Sequence, residues 1–316
     1  MIDPLSLLVK STAVWALAVA VLWAMRGRAA STRHLLWTTS FLALLALPAL
    51  VWALPPLDLS LAFGTGAMTA SPIAAGAAPW LWGLWATGAA LALVSLTVGG
   101  WRFAAWARGG TQLDDAAWRS TVDALRGELG IRRRVRLVLC PQVSVPMVGG
   151  VAKPVVLLPP GAVAWGERRR RAVLSHELVH VCRHDALRQL LAGAAVALYW
   201  FHPLAWLAAR AAGLTREQAC DEGVLDLGLR PSVYAGQLLA LAGAETPATP
   251  ALSLPLVERS HLERRITQIL RADRPLPRRL QAAFVAALLL FGAVTAATAV
   301  PAVPKPVCTY ENPIPN

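Results

Sequence analysis

Three long apolar runs fill the first hundred residues, the first break between them marked by arginines and the second opening on Pro55-Pro56 with Asp58 as its only charge, and a fourth appears near the C-terminus. Residues 5–25, from Leu5 to Met25, are nearly continuous apolar sequence, enough to cross a hydrocarbon layer of about 30 Å as one helix. Lys10 lies near one end, where its stem can snorkel to the interface. Arg26, Arg28 and Arg33 follow this run, whereas a cleavable signal peptide carries its charge before the apolar stretch. An uncleaved anchor with its N-terminus outside is therefore expected. A second span is predicted over 35–54, ending at Pro55-Pro56, and a third over 79–104, with Arg102 and Arg108 at its far end. Arg278 and Arg279 open a fourth span over 278–300. The positive-inside rule gives one orientation throughout, with the arginines in the cytosol and both the 55–78 loop and the 301–316 tail outside.

Between the third and fourth spans, residues 109–277 change character. A helix is predicted near Leu113 to Leu129. Val135, Leu137 and Leu139 alternate with Arg134, Arg136 and Val138, and Val155-Val156-Leu157-Leu158 follows a Gly149-Gly150 turn, which predicts a small antiparallel sheet. The fold class expected is an α-helical membrane protein with four transmembrane helices and a cytosolic α+β domain inserted before the last. Within that domain, residues 186–212 are again almost uncharged. They are expected as a membrane-associated hairpin or surface-lying segment, shallow and broken around His202-Pro203, because proline interrupts a helix.

Composition supports a membrane setting: 56% of residues are hydrophobic and 15% charged, too apolar for an ordinary soluble domain. The net charge of +12 comes almost wholly from arginine beside the apolar runs, which orients a chain in a bilayer and does not argue for direct nucleic-acid binding. Cys140, Cys182, Cys220 and Cys308 form no metal-binding pair or disulfide ladder, so reduced thiols are expected.

The chemistry centres on His176-Glu177-Leu178-Val179-His180. On a helix, residues four apart share a face, so both imidazoles can close on one zinc ion while Glu177 faces its open position as general base toward an activated water. Residues 167–180 contain no proline or glycine, as a helix requires. A catalytic site needs a third protein ligand. His184 is excluded by a helical rise of about 12 Å from His176, and the elongated metzincin motif by Arg183 and Ala186. His202, flanked by aromatics, is expected to satisfy backbone groups at a helix break. Glu217 remains, on an expected helix of its own, with Asp221 one turn later positioned to accept the outer N–H of a ligating histidine. That is the gluzincin arrangement. The bland alternative is a solvated helix with Arg216, Glu217 and Glu222 facing water. Arg183 is expected to anchor Asp185 or lipid phosphate in preference to an oxyanion, and Cys182 and Cys220 to be packed as small apolar groups.

With these motifs in place, the chain resembles the BlaR/MecR-type membrane zinc metallopeptidases. The resemblance is carried by Arg33-His34-Leu35-Leu36-Trp37, Val145-Pro146-Met147-Val148-Gly149, Lys153-Pro154-Val155-Val156-Leu157-Leu158-Pro159 and Ser175 to His180 with Arg183 and Asp185. Trp200-Phe201-His202-Pro203-Leu204, Arg216-Glu217 with Ala219-Cys220-Asp221, and Arg264-Arg265-Ile266 extend it. It implies an antirepressor of the bacterial inner membrane, a cytosolic gluzincin-like domain and a cleaved winged-helix repressor of the BlaI/MecI type. Family sensors carry a penicillin-binding domain after the fourth span, where this sequence has Pro301 to Asn316. The expectation is that the signal arrives through a sensor partner, the bilayer or the 55–78 loop. Two rival classes are a quality-control protease of the HtpX type, which needs two crossings between its zinc motifs, and a non-proteolytic scaffold, for which Glu177 has no use.

Overall fold

The computed structural model describes residues 4–54, 78–243, 255–271 and 276–298. The expected outer loop, apart from residue 78, and the tail at 301–316 lie outside the described residues. Among the described residues four helices are long and apolar enough to cross a membrane: α1 (Pro4–Ala24), α2 (Ala30–Ala53), α3 (Ala78–Gly109) and α10 (Arg278–Ala297). Helix α2 is the hub of this bundle, with Trp37, Phe41, Leu44 and Leu47 buried among its neighbours and Phe41 edge-on to Trp15 of α1 at 5.5 Å. Lys10 is buried, and its ammonium donates to the carbonyl of Ala296 at 2.9 Å, satisfying one of the orphan carbonyls at the end of α10. Helix α2 starts five residues before the expected span, at Ala30, because a distant carboxylate caps it. Glu222 accepts from the backbone N–H groups of Ala30 at 2.6 Å and Ser31 at 3.0 Å.

Helix α3 runs past its expected end to Gly109, and its last turns, with Phe103 and Trp106, cover one side of a four-stranded sheet. The strands are β1 (Thr111–Gln112), β2 (Arg136–Leu139), β3 (Met147–Gly149) and β4 (Val155–Leu158), in the order β1-β2-β4-β3. The sheet is mixed, correcting the antiparallel expectation: β4 pairs antiparallel with β3 but parallel with β2. All four residues of β4 are buried, so it takes the centre of the sheet and β3 is left at the edge. Gly150, at φ +90, makes the turn between them.

On the other side of the sheet, α4 (Ala116–Glu128) and α5 (Glu167–Cys182) share a core built on Trp118, Leu125, Leu174 and Leu178. The Asp115 side chain caps α4, accepting from Ala117 and Trp118 N–H at 2.9 and 3.0 Å. Asp115→Ala should cost about 1 kcal/mol, read as a lower melting temperature of the purified protein. An unchanged melting temperature would show that the cap contributes nothing.

After α5 the chain enters α6 (Asp185–Leu198), turns, and returns as α7 (Pro203–Asp226). The hairpin lies along the bundle. The Tyr199 hydroxyl at its tip donates to the carbonyl of Leu44, about 21 Å along α2 from Ala30 at 1.5 Å per residue. Non-helical backbone at such depth must find its partners within the protein. Indole N–H groups supply them: Trp85 donates to the carbonyl of Leu198 at 3.0 Å and Trp206 to that of Trp200 at 2.7 Å. His202 completes the tip, its Nδ1 accepting from Leu204 N–H at 3.2 Å while Nε2 meets the Thr12 hydroxyl, so its role is capping, as expected. Glu217 does not have a helix of its own; it lies on the second half of the unbroken α7. Helices α8 (Pro231–Gly243) and α9 (Pro255–Ile269) close over that half, with Tyr234, Ile269 and Val224 in a third core.

Candidate metal centre

Two helices meet at the site. Helix α5 presents His176 and His180 one turn apart, their rings edge to face at 4.8 Å, and α7 presents Glu217 opposite them. Glu217 Oε2 lies 3.4 Å from His176 Nε2 and 3.7 Å from His180 Nε2, and the three donor atoms all fall within 4.8 Å of one another. A tetrahedral ion about 2.1 Å from each donor separates them by about 3.4 Å, so this triangle is the right size for one.

The outer nitrogens explain why Nε2 is the atom that converges. His180 Nδ1 is 2.9 Å from Asp185 Oδ2, a group that only accepts, so the proton sits on Nδ1 and leaves Nε2 with a lone pair. For His176 the partner is the Tyr234 hydroxyl, 2.9 Å from Nδ1, which itself donates to Asp221 Oδ1 at 2.7 Å. Asp221 thus acts partly through Tyr234, its own oxygen being 3.4 Å from His176 Nδ1. Tyr234 carried no sequence signal, being one polar tip in an apolar helix segment.

Each supporting carboxylate is itself held. Arg265 of α9 makes a two-pronged contact with Asp221, at 2.8 Å to both oxygens, and its other nitrogen is 3.8 Å from Glu217. Arg183 donates to Asp185 at 3.3 Å, bearing out the anchoring role. Arg183 and Arg188 also each reach His34 Nδ1, at 3.0 and 3.1 Å, so a buried histidine of span α2 is tied through two guanidiniums to the carboxylate that orients His180.

These partners set the electrostatics. Burial alone would lower the pKa of His176, yet Asp221 and Glu217 override it and the value rises. His180 rises further, burial being outweighed by Cys220 and Asp185. Glu217 is held well below the carboxylate range despite burial, by its hydrogen bonds to both histidines. Asp221 is held at about 2 against its burial, mainly by Arg265. The cluster therefore favours a positive charge at its centre. Glu177 differs, burial pushing its pKa up, so this carboxyl accepts and releases a proton closer to neutral pH.

Two residues fall outside the triangle in instructive ways. His184 is exposed and in a left-handed conformation between α5 and α6, its Nδ1 3.0 Å from the carbonyl of Cys182; the helix ends before it. Cys220 is buried with Sγ 3.0 Å from His180 Nδ1 and 3.2 Å from Asp185 Oδ2, and burial raises its thiol to about 12. It is a polar contact as well as a small packed group, whereas Cys182 is exposed, contrary to the packing expectation.

A bundle of four candidate spans, a helical hairpin and a candidate histidine–histidine–glutamate metal site on paired helices are the arrangement of a membrane metallopeptidase. The profile of the BlaR1 peptidase M56 family matches residues 9–269, and the chain belongs to that family. It is 27% identical over 176 residues to the regulatory protein BlaR1 of Bacillus licheniformis. The aligned region covers 54% of this chain and 29% of that relative's length.

Proposed function

We propose that this chain is a zinc metalloendopeptidase of the bacterial cytoplasmic membrane, cleaving a cytosolic transcriptional repressor of the BlaI/MecI type in signal-regulated proteolysis. The observation that carries the reading is the convergence of His176 Nε2, His180 Nε2 and Glu217 Oε2 while both Nδ1 atoms are engaged elsewhere. Zinc bound by these atoms supplies Lewis-acid activation of water and of the scissile carbonyl. Glu177 takes the proton of the attacking water and gives it to the leaving amine, a task suited to a carboxyl whose pKa burial has raised. Asp185 and the Tyr234–Asp221 pair hold the imidazoles in one tautomer and one orientation.

The substrate backbone pairs with the open edge of β3. Val148, Gly149 and His180 line one small cleft, so a strand added at that edge runs past the histidines. In this account the four helices span the membrane and residues 109–277 face the cytosol, in line with the arginines at the ends of the spans. A sensor partner or the bilayer supplies the signal.

Reconstituted protein mixed with the repressor should produce a discrete fragment. 1,10-phenanthroline should stop cleavage and stoichiometric zinc restore it; cleavage undiminished by the chelator would overturn the reading. Asp185→Ala should weaken zinc binding about 10–100-fold, because His180 loses the partner that fixes its tautomer. Competition with a chromogenic chelator measures this, and unchanged affinity would remove Asp185 from the site's support.

A further inference from the structure

A groove of about 580 Å³ opens between α1, α2, α7 and α9, against the face of α7 that carries Ala211, Leu214 and Gln218. Its floor is apolar, with Leu22, Trp37 and Leu214, and four arginines surround it: Arg26, Arg33, Arg210 and Arg264. No carboxylate lines it. Arg33 is braced by Gln218 and Gln268 at 3.3 and 3.2 Å, while Arg26 lies over the ring of the exposed Trp23.

Arg210 is the telling member. Helix α7 starts at the deep tip of the hairpin, and Arg210, seven residues on, is about 10 Å back toward the arginine-bearing end. The tip itself lies about 21 Å from that end, as Tyr199 bonded to Leu44 shows, so Arg210 is an exposed arginine at the depth of the bilayer. Among the described residues neither it nor Arg264 has a carboxylate partner. An ionisable group at such depth needs an anionic partner reachable from the lipid.

We propose that this groove binds the phosphate-bearing headgroup of an anionic phospholipid, with an acyl chain against the apolar floor. A soluble anion would satisfy the arginines but leave the floor uncovered, and a zwitterionic lipid would bring its own cation against four guanidiniums. The occupant lies against the helices that hold the metal centre. Gln218 follows Glu217 on α7, and Arg264 precedes Arg265, the partner of Asp221, on α9.

Native mass spectrometry of delipidated full-length protein, titrated with palmitoyl-oleoyl phosphatidylglycerol, with the matching phosphatidylcholine and with inorganic phosphate, tests this. Wild-type protein should retain phosphatidylglycerol in clear preference, with inorganic phosphate at equal concentration failing to displace it. Arg210→Gln with Arg264→Gln should lower the preference about thirtyfold, at roughly fivefold per arginine, while the exposed Arg168→Gln, outside the groove, leaves it intact. Equal retention of the two lipids by wild-type protein, displacement by inorganic phosphate, or an equal loss with Arg168→Gln would each overturn the proposal. The wild-type comparison needs no variant to fold, and none of these readouts depends on proteolysis.

Discussion

Glu217→Ala should strip the metal from the purified protein. Two imidazoles on one helix remain after the substitution, but the third donor and the only negative charge among the three are gone. Glu217 is also held ionised despite its burial by hydrogen bonds to His176 and His180, so its loss removes electrostatic attraction as well as a bond. Zinc content should fall from about one per chain to near zero after passage over a chelating resin, and cleavage should disappear with it. Retention of stoichiometric zinc by the variant would remove Glu217 from the coordination set.

Glu177→Gln should have the opposite profile. The side chain is buried beside the histidines yet donates no atom to the triangle, so the metal should stay while the proton transfer is lost. General acid–base groups contribute about 10²–10⁴-fold, and a fall of that size in repressor cleavage is expected with zinc content unchanged. Measured together, the two variants separate coordination from chemistry. Full cleavage by Glu177→Gln would mean that another group moves the proton.

Much of this was legible in the sequence, for identifiable reasons. Four spans announce themselves because a bilayer demands about 20 apolar residues in a row, and the His176–His180 spacing can do little else on a helix. Glu217 could be paired with them only by elimination. The supporting contacts were less accessible: Tyr234 and Arg265 reach Asp221 from different helices, and nothing in their spacing records that. Asp185 stood out in the sequence as a neighbour of Arg183, but its bond to His180 depends on the left-handed turn at His184 between α5 and α6, which the sequence does not announce.

The mixed sheet had a signal that alternation in β2 obscured. Val155 to Leu158 is apolar at every position, the mark of a strand covered on both faces, and such a strand belongs at the centre, beside β2 as well as β3. The packing of the 186–212 hairpin tip against the bundle was hidden for another reason. Its tip is stabilised by the indoles of Trp85 and Trp206 and by the hydroxyl of Tyr199, bonds that satisfy the backbone of a sharp turn and that no spacing in the sequence records. Glu222 capping α2 is a further long-range contact, made by a carboxylate whose plainest sequence reading was exposure to water.

The cluster contains a competing donor set, His180 with Asp185 and Cys220, built on Nδ1 instead of Nε2. X-ray absorption at the zinc edge of the purified wild-type protein distinguishes the two directly. Ligation by His176, His180 and Glu217 predicts nitrogen and oxygen scatterers only, at about 2.0–2.2 Å, with the multiple-scattering signature of two imidazoles. A sulfur scatterer at about 2.3 Å, or one imidazole in place of two, would contradict the account at its centre.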